Sequence, residues 1–446
     1  MRPPIQPWMA GSAGVQGGEG QRAGCGGQQG RLRLRDVRVV FPELDLDRRA
    51  DVELDCASAL DGGTLDAAKM VLCPGFIDLH THLRHPGQAQ KEDPRHAAMA
   101  ALGGGYTTLV AMANTRPVID RPEIISRVIA ELVEQAAPVR VFQVAALTQG
   151  LEGTRLTDLE ALIEAGAAAL SDDGRCSAST ELVEMAMVRL ARRGITLLEH
   201  SQLDHLAGRG VLAEGEVAVR LGLLGIPQLA EVEVVKRDLE LSERTGCRVH
   251  LQHLSTAAAV ALVRSAKARG LAVTAEVNPH HLLLTEAAAI EAGTLAKVNP
   301  PLRSEADRLA LVAGLSDGTI DAVATDHAPH ELASKQTDWD GASFGISGLE
   351  TAAAILTTLV DRGELTLRRA IESLTCGPAS VLAYLPLKRA GDMTLLEPGA
   401  PWKVDRADFA SLGRNTPLHG SSLVGRVQAT WVAGEMAFSR AGLKVV

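Results

Sequence analysis

Two histidines two residues apart, His80 and His82, follow the apolar run Phe76–Leu79. In an extended chain that spacing puts both imidazoles on one side, where they can bind one metal ion together. Alone, the pattern is common as a solvated or core pair. Its meaning changes with the other polar residues that end apolar runs further on: Asn114, Asp172 and Asp173, His200, His253, Asn278 with His280, and Asp326. Four histidines (His80, His82, His200, His253) and two carboxylates (Asp173, Asp326) are enough for two ions, with one carboxylate bridging. Mixed imidazole and carboxylate ligands suit zinc, with manganese, cobalt or iron as other candidates. Two metals make a nucleophile from water at neutral pH and polarise the attacked carbonyl. Asp326 is placed to accept the water's proton and pass it to a leaving nitrogen. Its plainer reading is a helix N-cap in Thr325-Asp326-His327-Ala328-Pro329-His330.

Other residues carry two readings as well. Arg84 is either a fork for a carboxylate or an exposed loop arginine. Asn114 either orients substrate or holds its own turn before Thr115 and Pro117. The run Asn299-Pro300-Pro301-Leu302-Arg303 is a rigid substrate loop or only a turn. His280 and His281 are read as structural, as are His85, His96, His205, His250, His327 and His419. Cys176, near the aspartate pair, reads as a small packing residue rather than a nucleophile.

The elements that must position these residues follow a regular alternation. Strand-like runs are predicted at Phe76–Leu79, Thr107–Met112, Val139–Ala146, Ala167–Leu170, Ile195–Leu198, Val249–Leu251, Ala272–Val277 and Ile320–Ala324. Helical patterns separate most of them, for example Glu181–Arg193 and Thr256–Arg269. Eight strands alternating with helices predict an α/β fold, a (β/α)8 TIM-like barrel over 74–386. Every candidate residue then falls at a strand's carboxyl end, where barrel enzymes place their chemistry. The rival is an open doubly wound sheet. No G-x-G-x-x-G follows the first strand, which removes its usual dinucleotide version. Short alternating runs in 31–73 and from 387 to 446 predict a small β-sandwich domain built from both ends of the chain. Residues 1–30, rich in glycine, predict a disordered extension.

The whole chain bounds the function classes. It has 446 residues, a net charge of −9 and only 3% aromatic residues. Without a Lys/Arg-rich run, a nucleic-acid or anionic-membrane partner is not expected. No apolar run approaches the roughly 20 residues of a membrane helix. Six scattered cysteines without a C-x-x-C pair fit a reducing cytoplasm better than a disulfide framework.

At these residues the chain resembles the class I dihydroorotases of the cyclic amidohydrolase superfamily, from about Leu34 to the C-terminus. The motifs are PGFIDLHTHLRHPG at 74–87, KED at 91–93, GGYTT at 104–108, SDDG at 171–174, HLQHLST at 250–256, EVNPHHLLLTE at 276–286, VNPPLR at 298–303, ATDHAPH at 324–330, FGISGLET at 344–351 and RNTPLHG at 414–420. The resemblance implies zinc-dependent, reversible hydrolysis of the cyclic amide of dihydroorotate to N-carbamoyl-aspartate, in pyrimidine synthesis. It implies a first zinc on His80, His82 and Asp326, a bridging Asp173, and a second zinc on His200 and His253. Asp326 would also be the general acid/base. Arg84, Asn114 and His330 would hold the substrate carboxylate, with His82 bordering the substrate. Asn299 would meet the ring amides, and the backbone at Phe344-Gly345 would close the pocket. The choice of Asp173 over Asp172 rests on the resemblance alone. A homodimer and a complex with aspartate transcarbamoylase are partners the resemblance allows.

The chain departs from the family pattern in two places. Ala111-Met112-Ala113-Asn114-Thr115 lacks the family's proline before the asparagine, and Ser201-Gln202-Leu203 replaces C-E-D after His200. Alternatives are another cyclic-amide hydrolase, such as a dihydropyrimidinase or allantoinase, and a non-catalytic paralogue that scaffolds aspartate transcarbamoylase. Ala169-Leu170-Ser171-Asp172 offers no lysine of the kind hydantoinase-like relatives carboxylate, and the scaffold should have lost ligands that are all present here.

Overall fold

The computed structural model describes residues 30–56, 63–177 and 179–441. The expected N-terminal extension lies outside the described residues, apart from Gly30. The chain is an α/β protein in which, besides a separate parallel pair, Leu212–Ala213 and Gly225–Ile226, two larger all-parallel sheets carry the expected strand runs. One runs Phe76–Thr81, Tyr106–Ala111, Arg140–Gln143. The other runs Ala145–Ala146, Leu170–Ser171, Leu197–His200, Val249–Gln252, Val273–Val277, Ala322–Val323. Only Val144 separates the last strand of the first sheet from the first strand of the second. At the other margins Thr81 bridges His327, and the His82 N–H donates to the His327 carbonyl at 2.9 Å.

Each expected strand run contains a strand, and the connecting helices have local causes. Thr180–Arg193 begins where the Ser179 hydroxyl accepts from Leu182 N–H, and ends at Gly194 with φ +67°. Val183, Ala186, Met187 and Leu190 recur at helical spacing and are buried. Ala257–Ala268 is capped in the same way by Thr256 and buries Ala259, Val260, Val263 and Ala266. Among the described residues no helix is long and apolar enough to cross a membrane.

Strands from both ends of the chain share one seven-stranded sheet. Its path runs Glu435–Ser439, Ser422–Val432, Met393–Lys403, Val71–Pro74, Gly30–Phe41, Leu46–Cys56, with Gly63–Asp66 beside Gly30–Phe41. The join is antiparallel, Met393 opposite Pro74 through Leu396 opposite Val71. Leu32, Leu34, Val52, Leu395 and Trp431 form its apolar cluster.

Candidate metal centre and substrate cavity

The strand Phe76–Thr81 is buried along its whole length, and its end delivers His80 and His82 with ring centroids 5.3 Å apart. Asp78 ties this end to the far side of the sheet system. Its carboxylate accepts from Thr325 N–H, Thr325 Oγ1 and His80 N–H. Burial raises this carboxyl to about 7. Three of the expected site residues, Arg84, His253 and Asp326, have left-handed backbones (φ +56°, +38° and +46°). Non-glycine residues rarely adopt that region, and it costs energy that surrounding contacts must offset.

The expected ligands converge on Asp173. Its Oδ1 lies 3.1 Å from His80 Nε2, 3.4 Å from His200 Nδ1 and 3.8 Å from His253 Nε2. Its Oδ2 lies 3.5 Å from His82 Nε2 and accepts from Asn114 Nδ2 at 3.0 Å. Two buried donor groups therefore share this one carboxylate: His80, His82, Asp173 and Asp173, His200, His253. Asp326 Oδ1 sits 2.9 Å from His82 Nε2 and 3.7 Å from His80 Nε2. The neighbouring Asp172 turns away, its carboxylate accepting from Thr148 N–H and Oγ1.

Whether these residues fit a cation is decided by where the protons go. Glu276 accepts a hydrogen bond from His80 Nδ1–H at 2.9 Å, so in the neutral ring His80 Nε2 presents a lone pair. That atom is buried without a hydrogen-bond partner and faces a carboxylate. Asn114 Oδ1 accepts from His82 Nδ1 at 2.9 Å, which leaves His82 Nε2 a lone pair toward Asp326. His200 Nδ1 and His253 Nε2 approach to 2.8 Å. Lone pairs facing carboxylates repel unless a proton or a cation lies between them, so the donor set fits metal. A proton on His80 Nε2 is the alternative to a cation there: burial alone would lower the His80 pKa, yet the Asp173 and Asp326 carboxylates drive it well above the usual histidine range. The same imidazole charge pulls Asp173 and Asp326 below the carboxylate range against their burial.

A cavity of about 200 Å³ opens above this cluster. His82, Arg84, Asn114, Asp173, His200, Asn299, Asp326, His330, Phe344 and Gly345 line it, with Gly174 and Ala328. His80 and His253 lie beneath, almost wholly buried. The structure thus brings all twelve expected site residues together. At one end Arg84 Nη2 donates to His330 Nε2 at 3.2 Å, and Arg84 Nε donates to the Pro329 carbonyl. His330 Nδ1 is then a buried N–H without a partner. Burial, and then the Arg84 charge, hold His330 down at about 2, so it is neutral at working pH. No lysine lines the cavity among the described residues.

Sequence reasoning missed the groups behind the ligands. Glu276 links His80 to His250 Nε2, also at 2.9 Å, and His250 Nδ1 meets Thr274 Oγ1. Lys335 donates to the carbonyls of Lys297, Ser343 and Gly345. The one sequence signal was that Glu276 is a charged residue inside an apolar strand run. His281 Nε2 donates to the Pro300 carbonyl, and the His327 ring faces Glu92 and the Gly348 N–H.

A family model described as "Dihydro-orotase-like" matches residues 69–259. A dihydroorotase of Anaeromyxobacter dehalogenans (strain 2CP-C) is 46% identical over 382 residues, 84% of this chain and 88% of the relative. This chain belongs to the dihydroorotase family. Another member, the dihydroorotase of Pelobacter propionicus, is 39% identical over 423 residues, covering 92% of this chain and all of that relative. Among solved structures, an L-hydantoinase (dihydropyrimidinase) from Arthrobacter aurescens superposes with a TM-score of 0.79 at 24% identity, over 93% of this chain and 97% of its own. A dihydropyrimidinase from Brevibacillus agri NCHU1002 gives 0.75 at 20% identity, over 93% and 96%. At those identities the likeness is one of fold.

Proposed function

We propose that the protein is a metal-dependent dihydroorotase, which reversibly hydrolyses the cyclic amide of dihydroorotate to N-carbamoyl-aspartate in pyrimidine synthesis. One observation carries the reading: the imidazole–carboxylate cluster and the Arg84–His330 pair open into the same cavity. The metal we assign is zinc, two ions per chain. His80, His82 and Asp326 would hold one, His200 and His253 the other, with Asp173 between them. Zinc bound there supplies a lowered pKa for water and polarisation of the attacked carbonyl.

The chain's own residues do the rest. The Arg84 guanidinium and the free N–H of neutral His330 bind the substrate carboxylate. Asn114 orients His82 and Asp173 at once, so its amide fixes both ligands. Asn299, whose Oδ1 is buried without a partner, meets the ring amide, and Phe344-Gly345 closes over it. Asp326 takes the water's proton and returns it to the departing ring nitrogen. We also infer that the two larger parallel sheets are one closed (β/α)8 barrel over 74–386. The Thr81–His327 bridge and the near-continuity at Val144 support this. The sheet shared by 31–73 and 387–446 would then form a second domain.

The fold of the hydantoinase structures keeps a cyclic-imide hydrolase as the second reading. The test is an assay of purified protein with dihydroorotate, hydantoin, dihydrouracil and allantoin, alongside elemental analysis of metal per chain. Turnover confined to dihydroorotate, with close to two zinc ions per chain, is expected. Preference for any uncharged ring would overturn the assignment.

A further inference from the structure

We propose that Asn415, in the C-terminal stretch, is the positioning residue that sets the carboxylate-binding end of the cavity. Its side-chain hydrogen bonds go to Ala328, His330, Gly345 and Ser347, none of them among the six metal-cluster residues. It is fully buried, and its side chain joins two loops that line the cavity. Nδ2 donates to the Ala328 and Gly345 carbonyls, each at 3.0 Å. Oδ1 accepts from the His330 N–H at 2.9 Å and lies 2.8 Å from the Ser347 hydroxyl. That hydroxyl also faces the Gly413 carbonyl, and the Asn415 carbonyl accepts from Ser347 N–H. Both N–H groups of the amide therefore have carbonyl acceptors and Oδ1 has a backbone donor, while the single Ser347 O–H lies between Oδ1 and the Gly413 carbonyl.

The loop that carries Asn415 is itself anchored. Glu350 accepts the N–H groups of Ala410 and Ser411, and Glu92 accepts Leu412 N–H and the Ser411 hydroxyl. A Cβ on Gly413 would fall 2.4 Å from Pro329 Cβ and 2.9 Å from His330 N, so the loop presses directly on the backbone that bears His330. Two carboxylates, buried Glu92 and half-buried Glu350, therefore hold the loop from behind, and one amide transmits its position to Ala328, His330 and Gly345. Aspartate has nearly the same shape but no N–H. It would place a carboxylate oxygen against two carbonyl oxygens in a dry site. The position thus demands an amide for its donors.

The inference rests on the reading of the cavity as a dihydroorotate site. The test uses the purified full chain with its metal, and compares Asn415→Asp with wild type. The KM for dihydroorotate is expected to rise about tenfold or more, with kcat within about threefold and metal per chain unchanged. In a His330→Ala background the same change should cost less than about twofold, because residues that act through one another are not additive. A full tenfold penalty in that background overturns the inference, as does metal loss with KM unaltered. Should Asn415→Asp fail to fold, Gly413→Ala, which displaces Pro329 and His330 directly, enters the same cycle with the same expectations. Wild-type protein that leaves dihydroorotate untouched overturns the functional reading, and the inference with it. An active wild type with an additive cycle overturns the inference alone.

Discussion

The two ends of the cavity are built on different principles. The metal end is made of strand termini whose backbones are already fixed by parallel pairing, as at Leu197–His200 beside Val249–Gln252. Its side chains are oriented by buried partners immediately behind them, Glu276 for His80 and Asn114 for His82. The carboxylate end is made of loops: Arg84 after the first inner strand, Ala328 to His330 after the last, and Phe344-Gly345 beyond it. Among the described residues only the isolated bridges Thr81–His327 and His327–Ile346 tie those loops to strand-like pairing, and the rest of their order comes from Asn415, Lys335, buried Glu92 and half-buried Glu350. The difference separates bond-breaking from recognition. Damage at the metal end should appear in turnover and metal content, and damage at the loop end in substrate affinity.

The largest effect should come from Asp326→Asn. Turnover is expected to fall about a thousandfold while most of the metal stays, because four imidazoles and Asp173 remain. Steady-state kinetics with elemental analysis measure both, and near-normal turnover would remove the acid–base role. Next, Arg84→Met should raise KM for dihydroorotate about 30-fold or more, the cost of truncating one partner of a buried charge pair. Dihydrouracil, if it is turned over at all, should be spared. Equal damage to both rings would erase the contrast between the two ends.

Glu276→Gln sharpens the same contrast from behind. Loss of the carboxylate that orders His80 should weaken metal binding at least about tenfold in a chelator competition, with substrate KM little changed in metal-saturated protein. Unaltered metal affinity would make Glu276 a packing residue only.

The smallest effect concerns the loop end and pH. Burial raises the Glu350 carboxyl from 4.5 to about 7. A raised folded value means the fold binds the proton more tightly. That stabilisation is complete below about pH 4.5 and is lost as pH rises through 7. The unfolding free energy of wild type relative to Glu350→Gln should therefore fall between those limits, by at most about 1.4 kcal/mol per pH unit, and level off above. Urea titrations at several pH values would show the tilt, and a flat difference would contradict it.

The sequence was most readable where residue type and strand position coincide. Histidines and aspartates that end apolar runs stand out, and parallel strands bring such ends together whatever the spacing between them. Asp172 and Asp173 could not be separated in this way. They are the same residue type side by side, and a loop residue from elsewhere, Thr148, claims the first. The supports of the loop end were less visible still. Asn415 works through contacts to residues about 70 and 85 positions earlier, and nothing in RNTPLHG announces them. Glu92 and Ser411, 319 residues apart, meet only in the folded chain. The order of the seven strands in the shared sheet was not legible either, because alternation reports a strand's faces and not its neighbours.

That sheet sets a clock on the ribosome. Cys73 pairs with Thr394, 321 residues downstream. At a synthesis rate of about 5–20 residues per second, the early strands would wait roughly 16–64 s for the partner that covers their edge. Through that interval Val71–Pro74 offers unpaired backbone groups to any other extended chain nearby. Slow elongation, or truncation before residue 393, should therefore reveal itself as aggregation of nascent chains long before it shows as lost catalysis.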